Sequence, residues 1–276
     1  MNSNLIVYPT DFSICAKNAM AYVIAMAKAL KCKIKIVHFV DVGSEAETEE
    51  SPKLLLERTK ILETLAEEKL LKLRAEIEDF NLECDYEIIQ RNTFFLKDYL
   101  ENLEPLMIVM GTVGKNNFEN KLFGSLASKV IRNTESIVLV VPEKAIFNDI
   151  SKIVFASDFH SKDATHIEFM RKITKYYAAN LRVIHICENS ANIEEEKSFL
   201  SKLEKETSKI ISSRNLNFEL LVGDNKDEKL LFYIENVNPD ILGLVTRKRN
   251  FIERIFNKSL SKKMVNHTNT PVLVFP

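Results

Sequence analysis

The feature of this sequence that most constrains its fold is an internal repeat. Residues 152–159 (KIVFASDF) match residues 5–12 (LIVYPTDF) at an offset of 147 residues. Further along, residues 245–276 match residues 111–142 at an offset of 134 without a gap, so the second copy is shorter by thirteen residues in its middle. A repeat of this kind predicts two similar domains rather than one large domain.

Each copy has the alternating pattern of an α/β domain. In the first copy, which we place at residues 1–144, five apolar segments with strand-like patterns alternate with four segments of helical periodicity. This order predicts a parallel, doubly wound sheet with right-handed crossovers. Ser13 is the predicted N-cap of the first helix. The second copy, at residues 150–276, repeats the pattern.

A glycine-bearing loop follows the fourth predicted strand. It begins with Gly111-Thr112-Val113-Gly114, continues through nine residues to Gly124-Ser125 and leads into a helix-like segment. Glycine lets the backbone approach a ligand closely, and the amides at a helix N-terminus favour anions. Ligands of open parallel sheets bind beyond the carboxyl ends of the strands, where the strand order reverses. The loop therefore predicts a phosphate site opposite Asp11, although glycine after a strand also marks ordinary turns.

Composition and charge argue against several classes of function. The formal net charge is −1, which gives no general attraction to nucleic acid or to anionic membranes. No apolar run approaches the roughly eighteen residues of a membrane span, and the first residues do not resemble a signal peptide, so we expect a cytoplasmic protein. The four cysteines are scattered, and no histidine or cysteine spacing is typical of a metal site. We predict buried free thiols and no metal-binding residues.

Two conspicuous features receive a structural interpretation. The segment from Arg247 to Lys263 is basic, but only Phe251 lies near enough to stack on bases, so a solvated surface is favoured over a nucleic-acid site. Its binding of any other anion stays open. His38 and His185 occupy equivalent positions, and we expect hydrogen-bonded structural histidines rather than acid–base catalysts. No recognised catalytic motif is present, so no catalytic residues are predicted.

The whole chain resembles a tandem member of the universal stress protein family. The spacing of the family's ATP-binding members is met without deviation by Gly111, Gly114, Gly124 and Ser125. Residues 8–13 (YPTDFS) and His38 are also similar to family positions. The resemblance implies two Rossmann-like (adenine nucleotide alpha-hydrolase-like) domains, each a five-stranded parallel sheet of order 3-2-1-4-5 flanked by helices.

The resemblance also implies a bound adenine nucleotide, ATP. The residues that match the family's nucleotide contacts are Pro9, Thr10, Asp11, Phe39, Met110, Gly111, Thr112, Gly114, Gly124, Ser125 and Leu126. Mg²⁺ is expected with the phosphates because of their charge. Phe39 replaces the smaller aliphatic residue that often lines the base, so its ring is expected either to stack on adenine or to crowd it.

The second copy departs from the glycine pattern. The residues that replace the three glycines are Val245, Lys248 and Lys258, and Ser259 alone keeps its counterpart. Side chains at these positions would occupy the space that a triphosphate needs against the backbone. We therefore predict that the second domain does not bind ATP in the family manner.

The expected function is that of a stress-response protein with ATP as a conformational ligand of its first domain. The family pattern implies that the second domain is a structural partner in an intramolecular pseudo-dimer, and a further homodimer and an unidentified protein partner stay open. Two alternatives remain. One is a nucleotide-independent interaction scaffold in which the glycines only form turns, and the other is a slow ATP hydrolase of the wider fold.

Overall fold

The computed structural model describes residues 3–40, 51–90, 96–112, 125–188, 190–210, 215–245 and 269–276. These residues form two compact units, one up to Glu143 and one from Lys144. Within the described ranges, no helix is both long enough and apolar enough to cross a bilayer.

The first unit is a parallel sheet with helices between its strands. The strands are β1 (Leu5–Pro9), β2 (Lys33–Val40), β3 (Cys84–Gln90), β4 (Met107–Gly111) and β5 (Ile137–Val141). The helices are α1 (Ile14–Leu30), α2 (Pro52–Glu78), α3 (Leu96–Leu103) and α4 (Ser125–Asn133). The strand order is β3-β2-β1-β4-β5, which confirms the predicted order.

The second unit repeats this architecture. Its strands are β6 (Lys152–Ala156), β7 (Asn180–Cys187), β8 (Leu216–Val222), β9 (Ile241–Val245) and β10 (Val272–Phe275). Its helices are α5 (Asp163–Tyr177), α6 (Ile193–Ile210) and α7 (Lys226–Val237), and a 3-10 turn spans Ser190–Asn192. Within this unit the order is β8-β7-β6-β9-β10, which is the order of the first unit. Residues 246–268, between β9 and β10, lie outside the described residues.

The strands are apolar because helices cover the sheet. Four of the five residues of β4, which lies between β1 and β5, are buried, as expected for an inner strand of a parallel sheet with helices on both faces. In α1, the buried positions recur at the helical period and include Ala19, Val23 and Ala27. The N-cap prediction is confirmed, since the Ser13 side chain accepts a hydrogen bond from the Ala16 amide.

Candidate functional site

The candidate site lies where the strand order of the first unit reverses. Strand β1 pairs with β2 on one side and with β4 on the other, with Ile6 opposite Met107. Chain connections run from β1 outward to β3 and then return to β4, so the crevice between β1 and β4 is the topological switch point. The segments that follow these strands begin at Thr10 and at Thr112.

The turn after β1 is fixed by its own side chains. The Asp11 carboxylate accepts a hydrogen bond from the Ser13 amide at 3.0 Å, and the Thr10 hydroxyl accepts one from the Phe12 amide at 3.1 Å. Phe12 takes a left-handed conformation with φ of 59°, which is rare for a residue other than glycine. The turn is thereby built so that α1 starts at once, with its N-terminus beside the switch point.

His38 supports this turn from the neighbouring strand. Its Nδ1 lies 2.7 Å from the Thr10 carbonyl oxygen, and its ring centroid lies 4.5 Å from that of Phe12. A ring nitrogen that faces a carbonyl oxygen donates its hydrogen there, so Nδ1 carries a proton. This contact is the structural role that the sequence predicts for His38.

Gly111 has a role in packing, besides the role in ligand binding that the motif predicts. A Cβ atom at Gly111 would lie 2.8 Å from both the carbonyl carbon and the Sγ of Cys15, in the first turn of α1. The buried Cys15 thiol lies 3.6 Å from the Thr112 hydroxyl and 3.4 Å from the Val141 carbonyl oxygen. The absence of a side chain at Gly111 therefore lets α1 pack directly on the end of β4.

The predicted contact residues divide into two groups by exposure. The buried group is Pro9, Thr10, Met110 and Thr112. The partly exposed group is Asp11, Phe39, Gly111 and Leu126. The first group can offer a ligand mainly backbone atoms, whereas Asp11 and Phe39 can offer side chains. Ser125 begins α4, while Gly114 and Gly124 lie outside the described residues.

Phe39 is held in place by residues that belong to no sequence motif. Its ring meets that of Tyr99 edge-on, with centroids 6.2 Å apart. The Tyr99 hydroxyl donates to Glu87 at 2.8 Å, and Lys35 lies 2.8 Å from the same Glu87 oxygen. Burial acts to raise the pKa of Glu87, but these two hydrogen bonds hold that pKa below its ordinary value. Burial, together with the hydrogen bond to Glu87, raises the pKa of Tyr99.

The repeat contains a signal that could have revealed this cluster. In the second unit, the Tyr233 hydroxyl donates to Glu219 at 2.7 Å, and a hydrogen bond with Arg182 acts on the same tyrosine. The basic residue, the glutamate and the tyrosine thus recur in the same order on the second and third strands and the third helix. A repeated polar set of this kind is visible when the two halves are aligned.

The turn after β6 repeats the turn after β1, with closer stacking of the phenylalanine and histidine rings. Phe159 has a φ of 58°, and its ring stacks on His185 with centroids 3.8 Å apart. His185 Nδ1 lies 2.8 Å from the Ser157 carbonyl oxygen, and its Nε2 lies 3.1 Å from a carboxylate oxygen of Glu196. Burial holds the pKa of His185 below its ordinary value, against the opposing effects of the Ser157 hydrogen bond and of Glu196.

The second unit also contains a buried carboxylate that the sequence interpretation missed. Asp163 has no solvent exposure, and its Oδ2 accepts hydrogen bonds from the Ser157 hydroxyl and from the His160 amide. At an offset of 147 residues Asp163 stands on Ala16, so no similarity between the copies indicates its role. It joins the turn after β6 to the first turn of α5.

The first turn of α5 begins later than that of α1. The repeat places Ile14 on Ser161, yet α5 starts at Asp163, two residues further along. Val245 stands on Gly111, and its partly exposed side chain lies at the end of β9. The second unit thus has both a later start of its first helix, α5, and a valine at the position of Gly111.

The described residues contain no cluster of three histidine, cysteine, aspartate or glutamate side chains that could hold a metal ion. All four cysteines are buried free thiols, which agrees with the prediction.

Comparisons with known proteins extend this picture. The model of the Universal stress protein family matches residues 3–142 and again residues 150–276. Universal stress protein MJ0531 of Methanocaldococcus jannaschii is 31% identical over 139 residues, which are 49% of this chain and 80% of that protein.

One solved structure gives the same result at the level of fold. A universal stress protein from Archaeoglobus fulgidus is similar over 100% of this chain and 99% of its own, with a TM-score of 0.72 and 16% identity. A universal stress protein solved in complex with cAMP covers 51% of this chain and 98% of its own, at 18% identity and a TM-score of 0.36, and the nucleotide is a property of that protein. Because the family model matches nearly the whole sequence in two segments, the chain belongs to the universal stress protein family and carries its domain twice in tandem.

Proposed function

We propose that the chain binds one ATP, in its first domain, as a ligand that shifts its conformational population. The observation that carries the proposal is the position of the glycine motif. Gly111 ends β4 beside β1, and Ser125 starts α4 after the remaining loop. A strand, a glycine-bearing loop and a helix N-terminus at a switch point form an arrangement suited to phosphate.

The chemistry of the partly exposed residues supports an adenine nucleoside next to the phosphates. Asp11 is an acceptor, suited to ribose hydroxyls or to the amino group of adenine. The ring of Phe39, held edge-on by Tyr99, offers an apolar wall to the base. Phosphates would then lie towards Gly114, Gly124 and the start of α4, with Mg²⁺ held by phosphate oxygens, water and the Ser125 hydroxyl.

We propose that the second domain takes no ATP in this manner. Val245 introduces a side chain at the position of Gly111, and Lys248 and Lys258 replace the other two glycines. The family resemblance suggests instead that this domain pairs with the first through their fifth strands. If so, the halves 1–144 and 150–276, expressed separately, should form a one-to-one complex, and failure to associate would contradict the pairing.

Two further parts of the proposal concern turnover and location. We propose hydrolysis that is slow or absent, because the sequence offers no recognised catalytic base for it. A cytoplasmic location is proposed from the four free, buried cysteines, which suit a reducing compartment.

The test is the nucleotide that accompanies the protein when it is purified without added ligand. Denaturation and chromatography should release close to one adenine nucleotide per chain, and Gly114→Lys should release much less. Gly114→Lys is preferable to a change at Gly111, because a side chain there would clash with Cys15 and disturb folding. No nucleotide, together with no calorimetric ATP binding, would leave the interaction scaffold as the function.

A further inference from the structure

Helix α2 carries more large exposed apolar side chains than any other helix in the described part of the chain. They are Leu54, Leu56, Ile61, Leu62, Leu65 and Leu71. Helix α6 occupies the equivalent place in the second unit, between the second and third strands, and among its described side chains Phe199 is the one large apolar group that is exposed. Single exposed apolar side chains are ordinary, whereas a group of them on one helix indicates an interaction surface.

The exposed apolar residues are not those that pack α2 on its own domain. The buried residues of α2 recur at spacings of seven, four and seven residues and therefore share one side of the helix. They are Thr59, Ala66, Leu70 and Ile77. Ile61 and Leu65 lie one turn apart and are 61% and 49% exposed. At 3.6 residues per turn, these two side chains point roughly 140° away from the buried side. They therefore face outward.

The outward side of α2 has the spacing of a surface on which two helices pair. Residues separated alternately by four and three positions follow one another along it, and they are Leu54, Arg58, Ile61, Leu65, Glu68 and Lys72. We call this set the α2 stripe. Alternation of this kind keeps one seam of a helix against a partner helix, as in a coiled coil. Ile61 and Leu65 are adjacent in the stripe, a cation precedes them at Arg58, and an anion follows them at Glu68.

The order of these charges fits a second copy of α2 in antiparallel orientation. With a twofold axis midway between residues 61 and 65, Ile61 of one copy lies opposite Leu65 of the other, and Arg58 lies opposite Glu68. The symmetry forms this pair of charges twice, once on each side of the apolar centre. Leu62, on the flank of the stripe, then lies beside its own copy at the axis. A parallel pair would instead place Arg58 against Arg58 and Glu68 against Glu68, which is unfavourable.

We propose that the α2 stripe is a homodimer surface, on which a second copy of the chain packs its own α2 in antiparallel orientation. The helix has 27 residues, so at 1.5 Å per residue it is about 40 Å long. A single pair of helices of this length buries less than the roughly 800 Å² per partner of a standard interface. We therefore expect a weak dimer with a micromolar dissociation constant. The proposal does not depend on ATP binding, and it concerns contact between chains rather than between the two domains of one chain.

Sedimentation equilibrium of the full chain measures this association. The average mass should rise from that of one chain to that of two as the protein concentration increases. Ile61→Lys and Leu65→Lys each place a charge in the apolar centre and should raise the dissociation constant by about tenfold or more. Leu56→Lys is the matched control, since Leu56 is 56% exposed on the same helix but lies outside the stripe. This control should dimerise like the unmodified chain.

Two charge reversals test the antiparallel register. Arg58→Glu alone places Glu opposite Glu68, and Glu68→Arg alone places Arg opposite Arg58, so neither variant should associate with itself as the unmodified chain does. An equimolar mixture of the two variants restores both pairs of opposite charge and should form a heterodimer. Because mixing cannot repair a defect in folding, recovery in the mixture identifies a contact between chains. Thermal melting of each variant checks that its fold is intact.

Three results would overturn the proposal. The first is a chain that stays monomeric up to its limit of solubility. The second is a dimer in which Ile61→Lys and Leu65→Lys associate as well as Leu56→Lys, because the contact would then lie on another surface. The third is a mixture of the two charge reversals that associates no better than either variant alone, which would contradict the antiparallel register.

Discussion

The two domains share one turn but differ in what surrounds it. In both, a phenylalanine with φ near 60° follows the first strand and lies against a histidine whose Nδ1 contacts the carbonyl oxygen of the turn. In the first domain Lys69 lies 5.3 Å from the centre of the Phe12 ring, whereas in the second Glu196 reaches His185. The two turns thus share one backbone conformation, but a lysine lies beside the first turn and a glutamate beside the second. Conservation of a fold after duplication therefore says little about which ligand each copy binds.

Substitutions at Gly111 and at the equivalent Val245 should differ more than any other pair in their effect on the free energy of unfolding. Gly111→Val places a branched side chain where a Cβ alone would lie 2.8 Å from Cys15, so we expect a loss of about 3 kcal/mol or more of unfolding free energy. Val245→Gly opens the partly exposed end of β9 and should cost only about 1 kcal/mol. Chemical denaturation of both variants measures the contrast. Equal losses would show that the start of α1 does not need the glycine.

Removal of the buried carboxylate of the second domain should have the next largest effect. Asp163→Ala leaves the Ser157 hydroxyl and the His160 amide without their acceptor, so we expect a loss of about 2 to 3 kcal/mol. Asp163→Asn keeps an oxygen that can accept one of these hydrogen bonds and should lose less. Urea denaturation distinguishes the two. A stable Ala variant would mean that Asp163 is not what joins this turn to α5.

The contact of Glu196 with His185, which has no counterpart among the contacts described for the first turn, should affect the titration of His185. Because burial lowers the pKa of His185 in the folded state, its contribution to stability is present above pH about 6.5 and is lost as the pH falls below that value. Glu196→Gln removes a carboxylate that favours the protonated ring, so the pKa of His185 should fall further. NMR titration of the His185 imidazole signals in the unmodified chain and in Glu196→Gln measures the change. A rise in the pKa of His185 would contradict this assignment.

Removal of the tyrosine–glutamate hydrogen bond that occurs in both domains should cause the smallest loss of stability, and the loss should be nearly equal in the two domains. Tyr99→Phe removes the hydrogen bond to Glu87, and Tyr233→Phe removes the one to Glu219. Each should cost about 1 kcal/mol, because water can reach both glutamates and replace the lost donor. Loss of the Tyr99 donor should also raise the pKa of Glu87 towards its ordinary value. A large difference between the two variants would mean that these contacts serve the domains differently.

The repeat and the apolar periodicity were sufficient to predict the architecture. The alternation of strands and helices in each copy predicted the parallel sheets, and the family resemblance implied their strand order. Both predictions are confirmed, as is the predicted cap at Ser13. The switch point between β1 and β4 also agrees with the expectation that Asp11 and Gly111 lie at one edge of the sheet.

The packing role of Gly111 could not be predicted from the motif. A glycine in a phosphate-binding pattern is interpreted through its ligand, and nothing in the spacing shows that Cys15 will lie against it. The buried Asp163 was missed for a related reason. Its role depends on the two-residue delay in the start of α5, which leaves no trace in the apolar periodicity. Both features depend on three-dimensional contacts between segments that are distant in sequence or shifted relative to the repeat.

The central claim is that only one of the two domains binds ATP, and the number of bound ATP molecules tests it most directly. Equilibrium dialysis of the full chain, first stripped of nucleotide, should give one ATP per chain at saturation, and Gly114→Lys should reduce this value towards zero. Lys248→Gly in the second domain is the matched variant and should leave the value at one. Two ATP molecules per chain, or one that persists in Gly114→Lys, would contradict the division of function between the domains.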